Sequence, residues 1–402
     1  MRLEFEKIPR PVRIDDGPAL LPALESTFRY WPFREVAESR GDEPVVTVRR
    51  DGSGYSVHAD WLKDPPRYSN PVNLACGLAV NVNRAMLQER DSYLCLHGAG
   101  IEIGGRLVIL PNYYRAGKSA LTVCLAAAGA KVFSDDILPV LPDGSGMALG
   151  VSPRLRLPLP DTMGARSLRF IERRRGAANN QYLYLSLEQH EQARFGDSSR
   201  VGGFVLLDRR ESGSASLTPA TDGDVLKQLV LRNFARQVPV ATSLDRLHGL
   251  VTSAACYKLT YANGDEAVDL LMERFADEAL AAPERTAVAG AKAKRMAGPL
   301  RPPIGGTHPR RRDGMSERLV DGELFLVDGT GETIYHLNPI GTGLWRLLDG
   351  SCGIQDAAEL LHQAFPDVER KKIESDVATL TYDLLRRGLL VHGRYSKANR
   401  RS

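Results

Sequence analysis

The sequence is poor in cysteine and has no long apolar run. Its 402 residues include five cysteines, which are widely scattered and show neither C-x-x-C spacing nor a Cys/His cluster. This usage argues against a disulfide framework or a structural zinc site and for a reducing compartment. No stretch approaches the ~20 apolar residues of a membrane span, and the N-terminus lacks the apolar segment of a signal peptide. We therefore expect a cytoplasmic protein with no membrane partner.

Positive and negative side chains are also nearly balanced in number. Lys and Arg number 53 against 49 Asp and Glu, so the net charge is +4, and much of the excess lies in short runs such as 173–175 and 310–312. Because no basic stripe forms, we expect no nucleic-acid partner. The chain exceeds the ~250–300 residues at which a single core stops growing, so more than one domain is expected.

Composition divides the chain at residues 283–315. There Ala, Gly, Pro and basic residues replace apolar periodicity, which is typical of a flexible linker. Residues 1–85 alternate weakly and predict a mostly β region that ends in a helix and packs on the next domain. Residues 86–282 show sharper strand and helix patterns. Residues 316–395 predict a small domain: a β-hairpin, GELFLVD and ETIYHLN, followed by three helices.

Residues 110–119, LPNYYRAGKS, nearly satisfy the phosphate-binding pattern G-x-x-x-x-G-K-[ST]. Gly117, Lys118 and Ser119 fill its last positions, and Asn112 stands where the first glycine belongs. Asparagine tolerates positive φ better than most side chains, so Asn112 can replace that glycine. A predicted strand precedes the loop and a predicted helix follows it, as such a loop requires. The alternative is that Gly-Lys-Ser only starts a helix.

A loop of this kind binds phosphates through its backbone N–H groups and the following helix N-terminus. Its lysine contacts the β- and γ-phosphates, and its hydroxyl holds Mg²⁺. Arg115, Arg154 and Arg156 are candidates to meet phosphate or substrate charge, with plain surface placement as the alternative. The predicted nucleotide-binding residues are Asn112, Tyr113, Tyr114, Arg115, Ala116, Gly117, Lys118, Ser119 and Ala120.

Two acids, Asp135 and Asp136, end the next predicted strand, KVFSDD. We expect that strand to be a parallel neighbour of the strand before the loop, which would bring both carboxylates beside the loop. One could hold Mg²⁺ with Ser119, and the other could accept a proton from an incoming hydroxyl. His97, at the end of the predicted strand LCLHG, is a candidate to assist. The alternatives are solvated acids and an ordinary strand-end histidine.

The segment LHGAGIEIGGRLVILPNYYRAGKSALTVCLAAAGAKVFSDD resembles the core of bacterial HPr kinase/phosphorylase. The likeness covers residues 90–160 and includes the spacing from Ser119 to the acid pair. It implies an α/β P-loop kinase core that uses ATP and Mg²⁺, with Lys118 at the phosphates, and with Ser119 and one acid at the metal. The other acid, beside His97, would be the base. These kinases form hexamers, so a homo-oligomer is a candidate state.

The resemblance has a limit. The first glycine of the loop is replaced, and the later segments that bind the HPr protein have no counterpart here. The likeness therefore extends to nucleotide chemistry and not to HPr as the substrate.

Residues 316–395 resemble the PqqD family. The elements Y-x-L-N, G-x-x-L-W-x-L-L-D-G and R-G-L-L stand at 335–338, 341–350 and 387–390. This resemblance implies a small α+β, winged-helix-like domain, a β-hairpin sheet with three helices. Such domains bind the leader of a ribosomally synthesised precursor peptide as an added strand at a free sheet edge. The alternative, a DNA-binding winged helix, has too few basic residues.

Taken together, the two resemblances predict a leader-guided peptide kinase. It would transfer phosphate from ATP to a hydroxyl side chain, with serine expected, on a precursor peptide. Two alternatives stay open: a non-catalytic peptide chaperone with a degenerate loop, and a phosphatase or phosphorylase that uses the same residues.

Overall fold

A computed structural model of the chain describes residues 1–15, 17–37, 43–111, 116–161, 163–235, 237–276, 308–349 and 352–392. The chain forms two compact units. The first comprises Met1–Ala220, Asp224–Val238 and Asp245–Glu284, and the second comprises Thr221–Gly223, Pro239–Leu244 and Arg285–Ser402.

The elements before residue 277 are mixed α/β, and their residues belong to the first unit except for Asp222–Gly223 and Val240–Leu244. The strands are β1 (Arg2–Phe5), β2 (Val12–Ile14), β3 (Phe33–Val36), β4 (Val46–Asp51), β5 (Gly54–His58), β6 (Arg67–Tyr68), β7 (Leu94–His97), β8 (Ala99–Ile103), β9 (Arg106–Leu110), β10 (Lys131–Ser134), β11 (Ile137–Val140), β12 (Ser145–Met147), β13 (Arg154–Arg156), β14 (Arg175–Ala178), β15 (Tyr182–Leu185), β16 (Ser198–Arg209), β17 (Ser216–Pro219) and β18 (Ala255–Tyr261). The helices are α1 (Gly17–Thr27), α2 (Pro71–Gln88), α3 (Lys118–Ala127), α4 (Ala165–Arg173), α5 (Asp222–Arg232), α6 (Val240–Ser253) and α7 (Gly264–Ala276).

The N-terminal region forms a six-stranded sheet in the order β3-β1-β2-β4-β5-β6. Its core includes the fully buried Phe28 and Trp31 together with apolar residues of α2. The side chain of Asn70 accepts the N–H of Asn73 at 3.0 Å and so begins α2, with a proline at the first helical position. The structure confirms the predicted closing helix. The region is not mostly β, because α1 and α2, with 11 and 18 residues, together hold more residues than its six short strands.

The second sheet carries the segment with the predicted loop. Its order is β10-β8-β9-β16-β12-β11-β7, with β18 beside β16 and β17 beside β18. Strands β9 and β18 are parallel to β16, whereas β8 is antiparallel to both β9 and β10. Strand β10 therefore runs in the direction of β9 but does not pair with it, and the expectation of direct neighbours is wrong.

The β8–β9 hairpin explains this arrangement. It turns at Gly104 and Gly105, whose φ angles are +58° and +73°, and its first strand takes the place between β9 and β10. The carboxyl ends of β9 and β10 still lie at one edge of the sheet, so α3 and the two acids start from the same side.

The predicted strand LCLHG does not run on unbroken into β8. It divides at Gly98, where a Cβ atom would lie 3.1 Å from the carbonyl oxygen of Leu110. Strand β7 pairs with β11, with His97 opposite Ile137, while β8 pairs with β9. The chain direction changes directly after His97, which places this side chain near the turn that follows β10.

A three-stranded sheet, in the order β13-β15-β14, completes the surroundings of that turn. Arg154 pairs with Tyr184, and Arg156 pairs with Tyr182. Because residues two apart in a strand share a face, these four side chains lie on one side of the sheet.

The second unit is a small sheet-and-helix domain. Its elements are β19 (Pro309–Arg311), β20 (Ser316–Val320), β21 (Glu323–Val327), β22 (Ile334–Leu337), α8 (Pro339–Leu347), α9 (Ile354–Ala364), α10 (Arg370–Arg386) and β23 (Leu390–His392). The predicted hairpin is confirmed as β21–β22, and the three predicted helices are confirmed as α8, α9 and α10. Trp345, fully buried, lies in their shared core.

Three strands of this unit, β19, β20 and β23, were not predicted. Strand β20 pairs with β21 through a turn at Asp321-Gly322, so the sheet has three strands and the hairpin is covered on one edge. Strand β19 pairs with β23 and lies inside residues 283–315, so that interval is not linker throughout. The main-chain hydrogen bonds to β23 order β19, although its Pro-Arg-Arg sequence shows no apolar alternation.

None of the helices in the described ranges has both the length and the apolar content needed to cross a bilayer.

Candidate functional site

The chain enters α3 through a glycine in the left-handed backbone conformation. Gly117 precedes the helix with a φ of +92°, and its carbonyl accepts the N–H of Leu121 at 2.9 Å. A Cβ atom at this position would lie 2.7 Å from the hydroxyl of Tyr261, so a glycine is required for two reasons. Ala116, Ser119 and Ala120 are half-buried around it. The other predicted loop residues, Asn112, Tyr113, Tyr114 and Arg115, lie outside the described residues.

The two acids sit on a turn between β10 and β11. The hydroxyl of Ser134 accepts the N–H of Asp136 at 3.1 Å and donates to the carbonyl of Ile137 at 2.7 Å. The carbonyl of Asp136 accepts the N–H of Gly98 at 2.9 Å, which joins this turn to the bend after His97. These bonds fix the direction in which each carboxylate leaves the backbone.

Asp135 is the buried member of the pair. Its Oδ2 accepts the backbone N–H of Arg154 at 3.0 Å, and the Ser119 side chain hydrogen-bonds the same carboxyl group. Burial, and then the charge of Asp136, raise the pKa of Asp135 to about 6. The loop hydroxyl and one acid are therefore in direct contact, as the predicted metal pair requires.

Asp136 is more exposed and pairs with the histidine. The Nε2 atom of His97 lies 3.2 Å from Oδ1 of Asp136. Burial lowers the pKa of His97, Asp136 works to raise it, and the positive charges of Lys118 and Arg232 lower it further. The net direction is downward, so the imidazole is neutral near pH 7.

Lys118 lies between these groups rather than in solvent, with 7% of its surface exposed. Burial lowers the pKa of Lys118, although Asp136 and Asp135 favour its charged form. Arg232 adds a second cation near both Lys118 and His97. The neighbouring Asn233 positions the end of α5, because its side chain accepts the N–H of Cys95 at 3.2 Å.

A cavity of about 50 Å³ opens beside the acid pair, room for a few water molecules. Its lining combines Asp135, Asp136 and Arg154 with apolar side chains of α2 and β10. Nη1 of Arg154 donates to the sulfur of Cys76 on α2. The N-terminal region therefore forms part of the cavity lining, in addition to packing against residues 86–276.

The sequence-predicted site residues thus fall into four groups. Ala116, Gly117 and Ala120 lie around the start of α3. The structure brings together His97, Lys118, Ser119, Asp135, Asp136 and Arg154. Arg156 is exposed, two residues further along β13. The loop residues 112–115 lie outside the described ranges.

Other residues of the site were missed by sequence reasoning. Arg232, Cys76 and the tyrosines of β15 come from distant parts of the chain, and none belongs to a motif. For the tyrosines a weak signal exists, since YLYL alternates aromatic and aliphatic residues and so predicts two rings on one face.

The metal-ligating capacity of the site is small. Within the described ranges, no group of three or more His, Cys, Asp and Glu side chains could hold a metal ion. Mg²⁺ bound with a nucleotide needs only one or two protein oxygens, because phosphate oxygens and water complete its octahedron. Ser119 and Asp135 fit that smaller demand.

The second unit offers a different kind of site. Within the described residues, β22 pairs with β21 alone, so its other edge has no strand partner. The Arg387 guanidinium, just after α10, lies 5.7 Å from the ring centroid of Tyr335 on β22. His336 pairs with Glu323 across the two strands at 2.7 Å. A strand edge and a helix end are thereby held side by side.

The fold and these sites define a mixed α/β protein with a small C-terminal sheet-and-helix domain. The family model described as Coenzyme PQQ synthesis protein D (PqqD) matches residues 323–390, so these residues form a PqqD domain. A similar solved structure is "TbiB1 in Complex with the TbiA(beta) Leader Peptide", with 22% identity and a TM-score of 0.19. That match covers 20% of this chain and 93% of that chain. No curated protein matches the chain. The kinase resemblance of residues 90–160 stays a prediction.

Proposed function

We propose that this protein is an ATP- and Mg²⁺-dependent kinase that phosphorylates a serine hydroxyl of a ribosomally synthesised precursor peptide. The observation that carries the proposal is the meeting of Lys118, Ser119 and the Asp135-Asp136 pair at one edge of the second sheet. The PqqD domain on the same chain supports a peptide as the substrate.

Phosphate binding falls to the start of α3. Gly117 has the left-handed backbone that ends a phosphate-binding loop, and the N-terminus of α3 adds the favourable end of its dipole. Lys118 contributes its ammonium group to the β- and γ-phosphates. Its burial strengthens that contact, because little water screens it.

The two acids take separate roles. Asp135 and Ser119 already hydrogen-bond each other and would hold Mg²⁺. Bound Mg²⁺ neutralises phosphate charge and orients the γ-phosphoryl group. Asp136 is nearer to solvent and is paired with His97. It does not bind the metal in this proposal, and it accepts the serine proton.

The transfer itself balances without another reagent. The serine oxygen forms a bond to the γ-phosphorus while the bond from that phosphorus to the β–γ bridging oxygen breaks, and ADP leaves. The hydroxyl proton passes to the Asp136 carboxylate, and neutral His97 orients that carboxylate.

Recruitment of the peptide falls to the PqqD domain. Its resemblance implies binding of a leader peptide. The edge of β22 beside α10, which has no strand partner among the described residues, can accept an added strand. Because both sites belong to one chain, a bound leader raises the local concentration of its serine at the kinase site.

The test uses radiolabelled ATP, Mg²⁺ and a serine-containing precursor peptide whose leader binds the PqqD domain. We expect phosphate transfer to serine by the native protein and none by Lys118→Ala. Lys131→Ala, a half-buried lysine on β10 outside the site, is the matched control and should retain transfer. Transfer that survives Lys118→Ala would refute this site.

A peptide-binding chaperone without nucleotide chemistry is the second candidate, favoured by the PqqD match at residues 323–390. Calorimetry with ATP and Mg²⁺ separates the two functions. Binding heat that disappears in Lys118→Ala supports the kinase, whereas leader binding without any nucleotide heat supports the chaperone.

A further inference from the structure

Two arginines share one aromatic ring on the β13–β15 sheet. The guanidinium carbon of Arg154 lies 4.4 Å from the ring centroid of Tyr182, and that of Arg156 lies 5.5 Å from it. Two like charges this close repel each other. The π face of Tyr182 offsets part of that repulsion and holds both side chains on the same face of the sheet.

This arginine pair begins at the proposed catalytic acids. The backbone of Arg154 bonds to Asp135, and its side chain lines the cavity that also holds Asp136. Arg156 is exposed two residues along the strand, about 6.7 Å further out. Positive charge therefore extends from the cavity beside the two acids to the exposed surface of β13.

The guanidinium of Arg154 donates to the Cys76 sulfur and lies over the Tyr182 ring, and the charges of Asp135 and Asp136 favour its charged form. Burial raises the pKa of the Cys76 thiol, so this partner is uncharged near pH 7. A guanidinium has five N–H donors in a planar fork that matches a carboxylate. The bond to Cys76 uses Nη1 alone, which leaves the other donors of the fork for an anion.

We propose that Arg154 and Arg156, stacked on Tyr182, form a subsite for a peptide carboxylate flanking the acceptor hydroxyl. The inference rests on the proposed kinase function and adds its specificity. An extended peptide advances about 3.3 Å per residue, so the carboxylate belongs one or two residues from the acceptor serine. It can be an Asp or Glu side chain or the C-terminal carboxylate of the peptide.

Synthetic peptides distinguish these sources. Each has a single serine in an alanine–glycine background, with Glu or Gln at each flanking position and with a free or an amidated C-terminus. Initial rates with radiolabelled ATP give kcat/KM for every peptide. We expect Glu or a free C-terminus within two residues of the serine to raise kcat/KM about tenfold over the neutral peptide.

Variants assign this selectivity to the arginines. Arg156→Gln should lower the ratio of acidic to neutral kcat/KM toward one, and Arg154→Gln should do the same, with its backbone bond to Asp135 retained. Arg173→Gln, an exposed arginine on α4, is the control and should keep the native ratio. A selectivity carried by KM rather than kcat indicates binding of the peptide carboxylate.

Three results would overturn the subsite. Equal kcat/KM for acidic and neutral peptides refutes it while the kinase function stands. An equal fall of kcat on both kinds of peptide in the arginine variants shows that these side chains serve the phosphoryl group instead. No transfer to any peptide, including the full precursor, refutes both this inference and the kinase.

Discussion

The imidazole Nε2 of His97 lies 3.2 Å from the carboxylate Oδ1 of Asp136. These two residues are far apart in the sequence. They meet because β7 pairs with β11, and because the N–H of Gly98, just after β7, bonds to the carbonyl of Asp136, just after β10. A neutral histidine beside a half-exposed carboxylate is a suitable arrangement for proton acceptance. The contact makes Asp136, rather than Asp135, our choice for the base.

The first prediction separates the two acids. Asp136→Asn should lower kcat for peptide phosphorylation by about 10²–10⁴-fold, because the proton acceptor is lost, with little change in ATP affinity. Asp135→Asn should instead weaken binding of Mg²⁺ and ATP. Steady-state kinetics and calorimetry measure both quantities. Asp136→Asn that weakens ATP binding while Asp135→Asn leaves it intact would reverse the assignment.

The second prediction concerns pH and stability of the protein without nucleotide. The pKa of Asp135 is raised from 3.8 to about 6 in the folded state, so folding favours the protonated carboxyl group. That stabilisation is present below pH 4 and is lost as the pH rises through 6. Asp135→Asn should therefore gain up to about 3 kcal/mol in free energy of unfolding, relative to the native protein, between pH 4 and pH 7.

Denaturant unfolding at the two pH values measures this change. Asp91→Asn, an exposed aspartate before β7, is the control and should show no such pH-dependent gain. If Asp135→Asn changes stability by the same amount at both pH values, the raised pKa of Asp135 is wrong.

The third prediction tests the end of the loop. Gly117→Ala places a Cβ atom against Tyr261 at a φ of +92°, whereas Gly129→Ala has a φ of +97° and open space around it. Both lose roughly 1–2 kcal/mol of stability from backbone strain. Only Gly117→Ala should also lose ATP binding, measured by calorimetry. Tyr261→Phe in the same chain should restore part of that loss, because it removes the oxygen that Cβ meets.

The fourth prediction concerns leader binding. Arg387→Ala removes the cation beside Tyr335 at the edge of β22, and we expect leader affinity to fall about tenfold, with KM for the full precursor rising and kcat unchanged. Arg386→Ala, the adjacent exposed arginine, is the control. Fluorescence anisotropy with a labelled leader reports affinity. Equal effects of both substitutions would mean that general charge, and not this contact, binds the leader.

The local elements of this protein follow from short-range chemistry. The Asn338 cap, the Gly329-Thr330-Gly331 turn and the apolar spacing of 354–365 each act within a few residues, and α8, the β21–β22 hairpin and α9 form where they predict. Strand β20 could also have been found, because Asp321-Gly322 between two apolar runs is a strong hairpin signal.

The residues of the candidate site likewise differ in whether short-range sequence patterns identify them. Lys118, Ser119, Asp135 and Asp136 are recognisable from the sequence because one strand–loop–helix–strand segment carries them all. Arg232 and Cys76 are not, because they reach the site through α5 and α2, from far along the chain. The burial of a side chain also cannot be predicted from the sequence. Only the structure therefore shows that the pKa of Asp135 is raised and that His97 contacts Asp136.

The sequence by itself determined the β21–β22 hairpin, the helices α8 to α10, the glycine at the start of α3, the acids after β10 and the PqqD motifs, since these depend on neighbouring residues. Only the tertiary structure decided that β8 separates β9 from β10, that His97 meets Asp136, and that two arginines share Tyr182. Those features arise from pairing between distant strands, where main-chain hydrogen bonding and burial select one arrangement among many that the same local patterns allow.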